Sequence, residues 1–276
     1  MLSSPFRPPL TPLFVPGDRP ERFAKAAASG ADAVILDLED AVAPAAREAA
    51  REAVANHRID GVTVIVRVNA VSSEDFRADL AALHDARIDA LMLAKAETAA
   101  DIRLVHHILG RQVPVIALVE TARAFHDLAG LLQAPGVVQA AFGSLDLALD
   151  LGCQPSWEAL AYCRGALVLQ SRLAGLPAPL DGVTTSLDDP EQIGADAAIA
   201  SALGFGGKLA IHPRQIGPIR EAFLPDARSV AWAHAVMEAA RSGAAVQVDG
   251  AMVDRPLIER ARRILSRSSV TGVSEA

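Results

Sequence analysis

The chain has 276 residues, 51% of them hydrophobic but only 4% aromatic, and a formal net charge of −7. That length suits a single α/β barrel, and a core of Ala, Val, Leu and Ile favours short helices on parallel strands over an aromatic-rich sandwich. The acidic balance argues against nucleic acid, whose phosphates need a basic surface, but a local cluster could still hold a phosphate-bearing small molecule.

Along the chain, short apolar runs alternate with amphipathic stretches as far as about Phe223. Strands are predicted at Leu13–Val15, Ala33–Leu36, Val62–Val68, Ala90–Ala94, Val115–Val119, Val138–Phe142, Ala178–Leu180 and Lys208–Ile211. Helices are predicted between them at Pro20–Ala28, Asp75–Leu83, Ala99–Leu109, Ser156–Ala174 and Pro190–Ala202. Pro20 and Pro190 suit a first helical turn, where the missing N–H is harmless, and Ser156 suits a cap. Eight strands separated by helices read as a (β/α)₈ barrel. A doubly wound sheet is the alternative, but no GxGxxG follows any strand.

Beyond Phe223 the rhythm changes. A helix is predicted over Ala227–Arg241, an extended stretch over Gly243–Met252 and a last helix over Arg255–Arg267, with a polar tail from Ser268. The expected division is a barrel over 1–223 and a C-terminal helical appendage over 224–276, the latter serving subunit contacts. Met1 to Leu10 is broken by three prolines, and no run approaches the ~18 apolar residues of a membrane span, so a soluble cytoplasmic protein is expected. Cys153 and Cys163 form neither a disulfide framework nor a metal-ligand spacing.

In such a barrel the chemistry sits where strands end. Those ends carry Asp37, Glu39 and Asp40, then Arg67 and Asn69, Lys95 and Glu97, Glu120, Asp146, Asp181 and His212. Glu120 follows the run Val115 to Val119, and Asp146 follows Phe142-Gly143-Ser144-Leu145, where glycine lets the chain turn into a helix. Two carboxylates on adjacent strand ends can make a hard-oxygen site for Mg²⁺. They can equally be a helix cap and a partner for a surface arginine, and the spacing leaves both readings open. Arg67, a lone charge in Val64-Ile65-Val66-Arg67-Val68, could clamp a substrate carboxylate with its planar fork or pair with Glu39 or Asp40. Lys95 could form a Schiff base or a salt bridge to the neighbouring acids, and the salt bridge is the expectation. His212, beside Pro213, is expected to organise the last barrel loop.

The segments Leu13-Phe14-Val15-Pro16-Gly17-Asp18-Arg19-Pro20 and Ile35-Leu36-Asp37-Leu38-Glu39-Asp40 open a longer series. It continues through Val66-Arg67-Val68-Asn69, Glu120-Thr121-Ala122, Phe142-Gly143-Ser144-Leu145-Asp146, Ala210-Ile211-His212-Pro213 and Gly250-Ala251-Met252-Val253-Asp254-Arg255-Pro256. In this order, over nearly the whole chain, the series resembles the citrate lyase β-subunit-like family of the HpcH/HpaI aldolase/citrate lyase superfamily, which includes malyl-CoA and citramalyl-CoA lyases. The resemblance implies a TIM barrel assembled as a homotrimer or a multiple of it. It implies Glu120 and Asp146 as Mg²⁺ ligands, Arg67 as the carboxylate clamp, and Phe14, Arg19 and Lys25 along the path of a CoA or acyl-carrier arm. Asp254 would be the acid/base group, delivered to a neighbouring subunit's mouth. Ala94 stands where the family usually has proline, which puts the shape of that loop in question.

The expected activity is therefore Mg²⁺-dependent making or breaking of a C–C bond in a 3-hydroxyacyl-CoA thioester, with an acyl-CoA and a small 2-oxo acid as the other side. The rivals are a metal-dependent 2-oxo acid aldolase without CoA, a citryl-acyl-carrier lyase subunit of a larger complex, and a scaffold with a silent site. Arg19 and Lys25 bear on the choice, because only a phosphate-bearing substrate needs them.

Overall fold

Each of the eight predicted strand segments overlaps a strand in the computed structural model, the last two by a single residue, and the structure describes residues 6–241, 247–249 and 251–268. They are β1 (Pro12–Pro16), β2 (Ala33–Asp37), β3 (Thr63–Val68), β4 (Ala90–Leu93), β5 (Val115–Val119), β6 (Val137–Phe142), β7 (Leu180–Asp181) and β8 (Gly207–Lys208). All pair in parallel and in chain order. The residues around β8 return to β1: Lys208 N–H donates to Leu10 O at 2.9 Å, Ala210 N–H to Pro12 O at 2.9 Å and Phe14 N–H to Ala210 O at 2.8 Å. Glycine is required at this seam, since a β-carbon on Gly207 would overlap the carbonyl of Leu10. The expected (β/α)₈ barrel is the architecture.

The helices are α1 (Phe23–Ala27), α2 (Arg47–Ala55), α3 (Phe76–Ala82), α4 (Ala99–Leu109), α5 (Ala122–His126), α6 (Leu128–Leu132), α7 (Ser144–Leu151), α8 (Trp157–Leu173), α9 (Pro190–Leu203), α10 (Ile216–Phe223), α11 (Ala227–Arg241) and α12 (Arg255–Ser268). Their ends follow local chemistry. Thr98 and Asp101 form a reciprocal capping box at α4, Ser156 accepts the Ala159 N–H at α8, and Asp189 accepts the Gln192 N–H ahead of Pro190 at α9. Helices α2, α6 and α10 lie outside the helices expected from the sequence. In α2 only Ala50 and Val54 are buried, too small an apolar stripe to read as a period.

Strand residues alternate between the barrel interior and the helix layer. Ile35, Ile65, Met92, Ile116, Leu118 and Leu209 belong to one buried cluster. Burial of each such side chain contributes about 1.5–3 kcal/mol. The next inward position toward the C-terminal end of β2, β3 and β5 is then Asp37, Arg67 and Glu120, so the alternation that packs the core also carries these charges to the mouth.

The chain divides into two compact units, Met1–Ile219 and Arg220–Ala276. In the second, α11 and α12 bury Ala233, Val236 and Ala261, and Arg260 lies over the Trp232 ring at 5.0 Å. Gln247–Val248 and Ala251–Met252 pair antiparallel. The rest of the predicted Gly243–Met252 stretch, apart from Asp249, and the tail after Ser268 lie outside the described residues. Among the described residues no helix is long and apolar enough to cross a membrane.

Candidate active site

Asp37 and Arg67 are register partners on neighbouring strands, and their side chains meet over the last apolar layer. Arg67 Nε and Nη2 each donate to an Asp37 carboxylate oxygen at 2.7 Å, while Nη1 lies 2.8 Å from Glu39 Oε2. The guanidinium also stacks on the Phe14 ring at 4.8 Å. The fork expected for substrate therefore holds Asp37. A guanidinium has five N–H groups, so those not taken by Asp37 and Glu39 are left for the cavity that Arg67 lines.

Lys95 extends the network. Its ammonium donates to Glu39 Oε1 at 2.7 Å and lies 3.4 Å from Asp146 Oδ1, and its backbone N–H donates to Glu120 Oε1 at 2.9 Å. Burial opposes the charge on Lys95, but Glu39, Glu120 and Asp146 outweigh it and push the pKa up. Lys95 is thus held as an ammonium, where a Schiff base needs a free amine. Glu120 is 2% exposed, and burial, with repulsion from Glu39 and Asp146, pushes its carboxyl up to about 8.

Asp146 sits in the first turn of α7 beside Glu120. Four inward carboxylates, Asp37, Glu39, Glu120 and Asp146, face only two cations, Arg67 and Lys95, with a fifth, Asp40, exposed to solvent at the rim 3.8 Å from Arg67. That excess of two negative charges, with oxygen donors and a destabilised Glu120 carboxylate, fits a hard divalent cation such as Mg²⁺. Among the described residues no group of three or more His, Cys, Asp or Glu forms a cage. Glu120 and Asp146 would supply part of an octahedral shell and leave the rest to water and substrate.

The acids open into a cavity of about 320 Å³ lined by Phe14, Asp37, Arg67, Glu120, Gly143 and Asp146, among others. A second cavity, about 390 Å³, shares Phe14 and Ile211 with it and carries Arg22, Lys25 and His212. A larger hollow of about 650 Å³ by α1 and α2 contains no such convergence of acids.

Phe14 and Lys25 thus line these cavities, whereas Arg19 is exposed and pairs with Asp18 at 3.8 Å. Arg22, one helical turn before Lys25, was missed in the sequence, although the i, i+3 spacing could have suggested it. His212 Nδ1 accepts the Arg214 N–H at 3.3 Å and so organises its loop, as expected. Asp254 belongs to the C-terminal unit, where it is exposed and its Oδ1 accepts the Leu257 N–H at 3.0 Å at the start of α12. Asp181 does not join the mouth. Leu180 takes the inward position, and Asp181 is buried on the helix side between Arg164 Nε at 3.0 Å and Lys208 Nζ at 2.7 Å.

Comparison with known proteins gives one consistent result. The HpcH/HpaI aldolase/citrate lyase family profile matches residues 10–213. A citrate lyase subunit beta-like protein of Mycobacterium tuberculosis is 40% identical over 93% of this chain and 94% of its own. A (3S)-malyl-CoA thioesterase of Cereibacter sphaeroides is 33% identical over 99% of this chain and 98% of its own. The crystal structure of CitE from M. tuberculosis in complex with magnesium, acetoacetate and coenzyme A has a TM-score of 0.86 at 38% identity, covering 94% of this chain and 98% of that one. The fold, the ordered motifs and these matches agree: this chain is an enzyme of the HpcH/HpaI aldolase/citrate lyase family, with a CoA-ester or citrate lyase type of function.

Proposed function

We propose that the chain is a Mg²⁺-dependent lyase or synthase that breaks or makes the C–C bond of a 3-hydroxyacyl-CoA thioester of the malyl-CoA or citramalyl-CoA type. The observation that carries this reading is the pair of adjoining cavities. One gathers carboxylates for a divalent ion, and its neighbour, reached past Phe14 and Ile211, gathers Arg22, Lys25 and His212. A phosphate-bearing arm needs the second cavity, and an unactivated aldolase substrate does not. The M. tuberculosis complex with magnesium, acetoacetate and coenzyme A supports the same assignment.

Glu120 and Asp146 would hold Mg²⁺, which supplies Lewis-acid polarisation of the 2-oxo or 2-hydroxy acid. Arg67 binds the acid's carboxylate with the N–H groups left by Asp37 and Glu39. Phe14 and Lys25 line the path of the CoA arm, joined by Arg22 in the same cavity, and the exposed Arg19 is a further cation for its phosphates. In cleavage, a base removes the hydroxyl proton and the carbonyl of the 2-oxo acid forms. The bond to the thioester α-carbon breaks, its electron pair passes to a thioester enolate, and protonation gives the acyl-CoA. Asp254, from a neighbouring copy, is the proton-transfer group. The working assembly is a homotrimer or a multiple of it. An apolar outward face on α8, where Tyr162, Leu169 and Leu173 are 83%, 57% and 65% exposed, supports an assembly.

The test is a mass-spectrometric screen of CoA thioesters with Mg²⁺ for matched pairs of acyl-CoA and 2-oxo acid. EDTA should abolish turnover and Mg²⁺ or Mn²⁺ restore it, with Glu120→Gln and Asp146→Asn folded but inactive. Full activity in EDTA would overturn the reading. The malyl-CoA thioesterase relative favours one second reading, hydrolysis, which the same screen would register as free CoA with the hydroxy acid intact.

A further inference from the structure

Lys95 connects both sides of the acidic mouth. Its φ of +47° lies in the left-handed region, which a non-glycine residue seldom occupies. From that conformation the backbone N–H fixes Glu120 while the side chain reaches Glu39 and Asp146. The two side-chain contacts are unequal. The 2.7 Å hydrogen bond to Glu39 is short, and the 3.4 Å approach to Asp146 is an ionic contact only. The ammonium therefore lies against one of the two carboxylates assigned to the divalent ion.

Resting on the assignment of Glu120 and Asp146 as the Mg²⁺ ligands, we propose that Lys95 is a built-in counter-cation for the metal. It neutralises the acids before the ion arrives, gives up Asp146 to the ion and stays on Glu39. There it lowers metal affinity and keeps a positive charge beside the incoming carboxylate of a 2-oxo acid. The charge count gives the sign of each effect. With Lys95 present, a divalent ion brings the four inward carboxylates and two cations to neutrality, while Asp40, exposed at the rim, is screened by solvent. With Lys95 neutralised, the empty mouth is more negative and binds the ion more tightly, but the loaded mouth keeps a negative charge and repels a carboxylate. Metal and substrate affinities therefore move in opposite directions. A lysine that only braced the fold would, when removed, weaken both.

The experiment measures Mn²⁺ binding to the full chain by electron paramagnetic resonance of the free ion, then pyruvate binding to the Mn²⁺-loaded protein by calorimetry. The proteins are wild type, Lys95→Met, Lys95→Arg and Glu120→Gln, with Lys95→Gln replacing the Met variant if that one does not fold. Lys95→Met should bind Mn²⁺ about tenfold more tightly or better, and pyruvate about tenfold more weakly. Lys95→Arg, which keeps the charge, should stay within about threefold of wild type in both. If Mn²⁺ binding is lost in Glu120→Gln but unchanged or weakened in Lys95→Met, the counter-cation falls and the metal site stands. If both affinities shift the same way in Lys95→Met, the counter-cation also falls. If wild type binds no Mn²⁺, or Glu120→Gln binds it equally well, both fall together.

Discussion

Gly143 is the residue that leaves room for Glu120: a β-carbon there would overlap Glu120 Oε2 and stand 2.5 Å from Glu120 Cβ. The second contact matters more, because Cβ is fixed to the strand and cannot swing aside as a terminal oxygen can. Gly143→Ala should lower stability by about 1–3 kcal/mol through overpacking. It should also lose most of the Mn²⁺ affinity, because Glu120 is displaced from Asp146. Gly165, where an added β-carbon would meet nothing within 4 Å, is the control. Gly165→Ala should leave Mn²⁺ affinity unchanged and gain up to about 1 kcal/mol of helix stability. Urea unfolding and Mn²⁺ titration of the two variants make the comparison. Equal Mn²⁺ affinity in both would remove the steric role of Gly143.

Arg67 serves two ends, and a substitution can separate them. Lysine keeps the charge but cannot satisfy both oxygens of Asp37, so Arg67→Lys should destabilise the fold by about 1–3 kcal/mol. If its remaining N–H groups bind the carboxylate of the 2-oxo acid, kcat/KM should fall about tenfold or more, beyond what the unfolded fraction explains. Unchanged kinetics with every active thioester would reduce Arg67 to a structural ion pair with Asp37 and Glu39.

The buried cluster on the other side of the strands should behave differently. Asp181 is the carboxylate between Arg164 and Lys208, which are 4% and 2% exposed. Asp181→Asn would leave two buried cations poorly compensated and should cost about 3–5 kcal/mol. The variant, where folded, should titrate Mn²⁺ as wild type does, since this cluster faces the helix layer. A large fall in metal affinity with stability intact would place Asp181 in the mouth after all.

That misplacement of Asp181 shows what the sequence conveys and what it does not. Unbroken apolar runs such as Val115 to Val119 mark where a strand ends, so Glu120 at the rim was legible as the first charge after its run, while its inward phase came with the fold. The last two strands have only two residues each, and no alternation can be counted over that length. The phase of Asp181 and Lys208 came only with the fold, which turns both toward α8. Amphipathic stretches made α4, α8 and α9 legible, with Ser156 and Pro190 marking the starts of the last two, whereas α2 is held by Arg51, which bonds Asp79 at 2.8 Å and also reaches Asp75. A partnership across more than twenty residues of chain leaves no local signal. The Asp37 claim on the Arg67 fork was hidden for the same reason, since it depends on the register of β2 against β3.

Asp254 has two possible duties, and one substitution distinguishes them. Its Oδ1 accepts the Leu257 N–H at 3.0 Å and its carbonyl accepts the Ile258 N–H at 3.0 Å, the arrangement of a helix N-cap. If capping is its whole role, asparagine should replace it, since Asn and Asp cap about equally well and stability should change by no more than about 0.5 kcal/mol. If the carboxylate moves a proton in a neighbouring copy's mouth, Asp254→Asn should remain folded and bind Mn²⁺ and thioester. It should nevertheless lower kcat far more than it changes KM. The shared site then allows complementation. Glu120→Gln chains lack the metal ligand and Asp254→Asn chains lack the acid, so each alone is inactive. Co-expressed, they should regenerate active mouths wherever an intact Glu120 meets an intact Asp254 from another chain. Size-exclusion chromatography with light scattering identifies the mixed oligomers, and turnover per oligomer gives the recovered fraction. Mixed oligomers that recover no activity, or a fully active monomer, would confine each active site to a single chain and leave Asp254 as a helix cap.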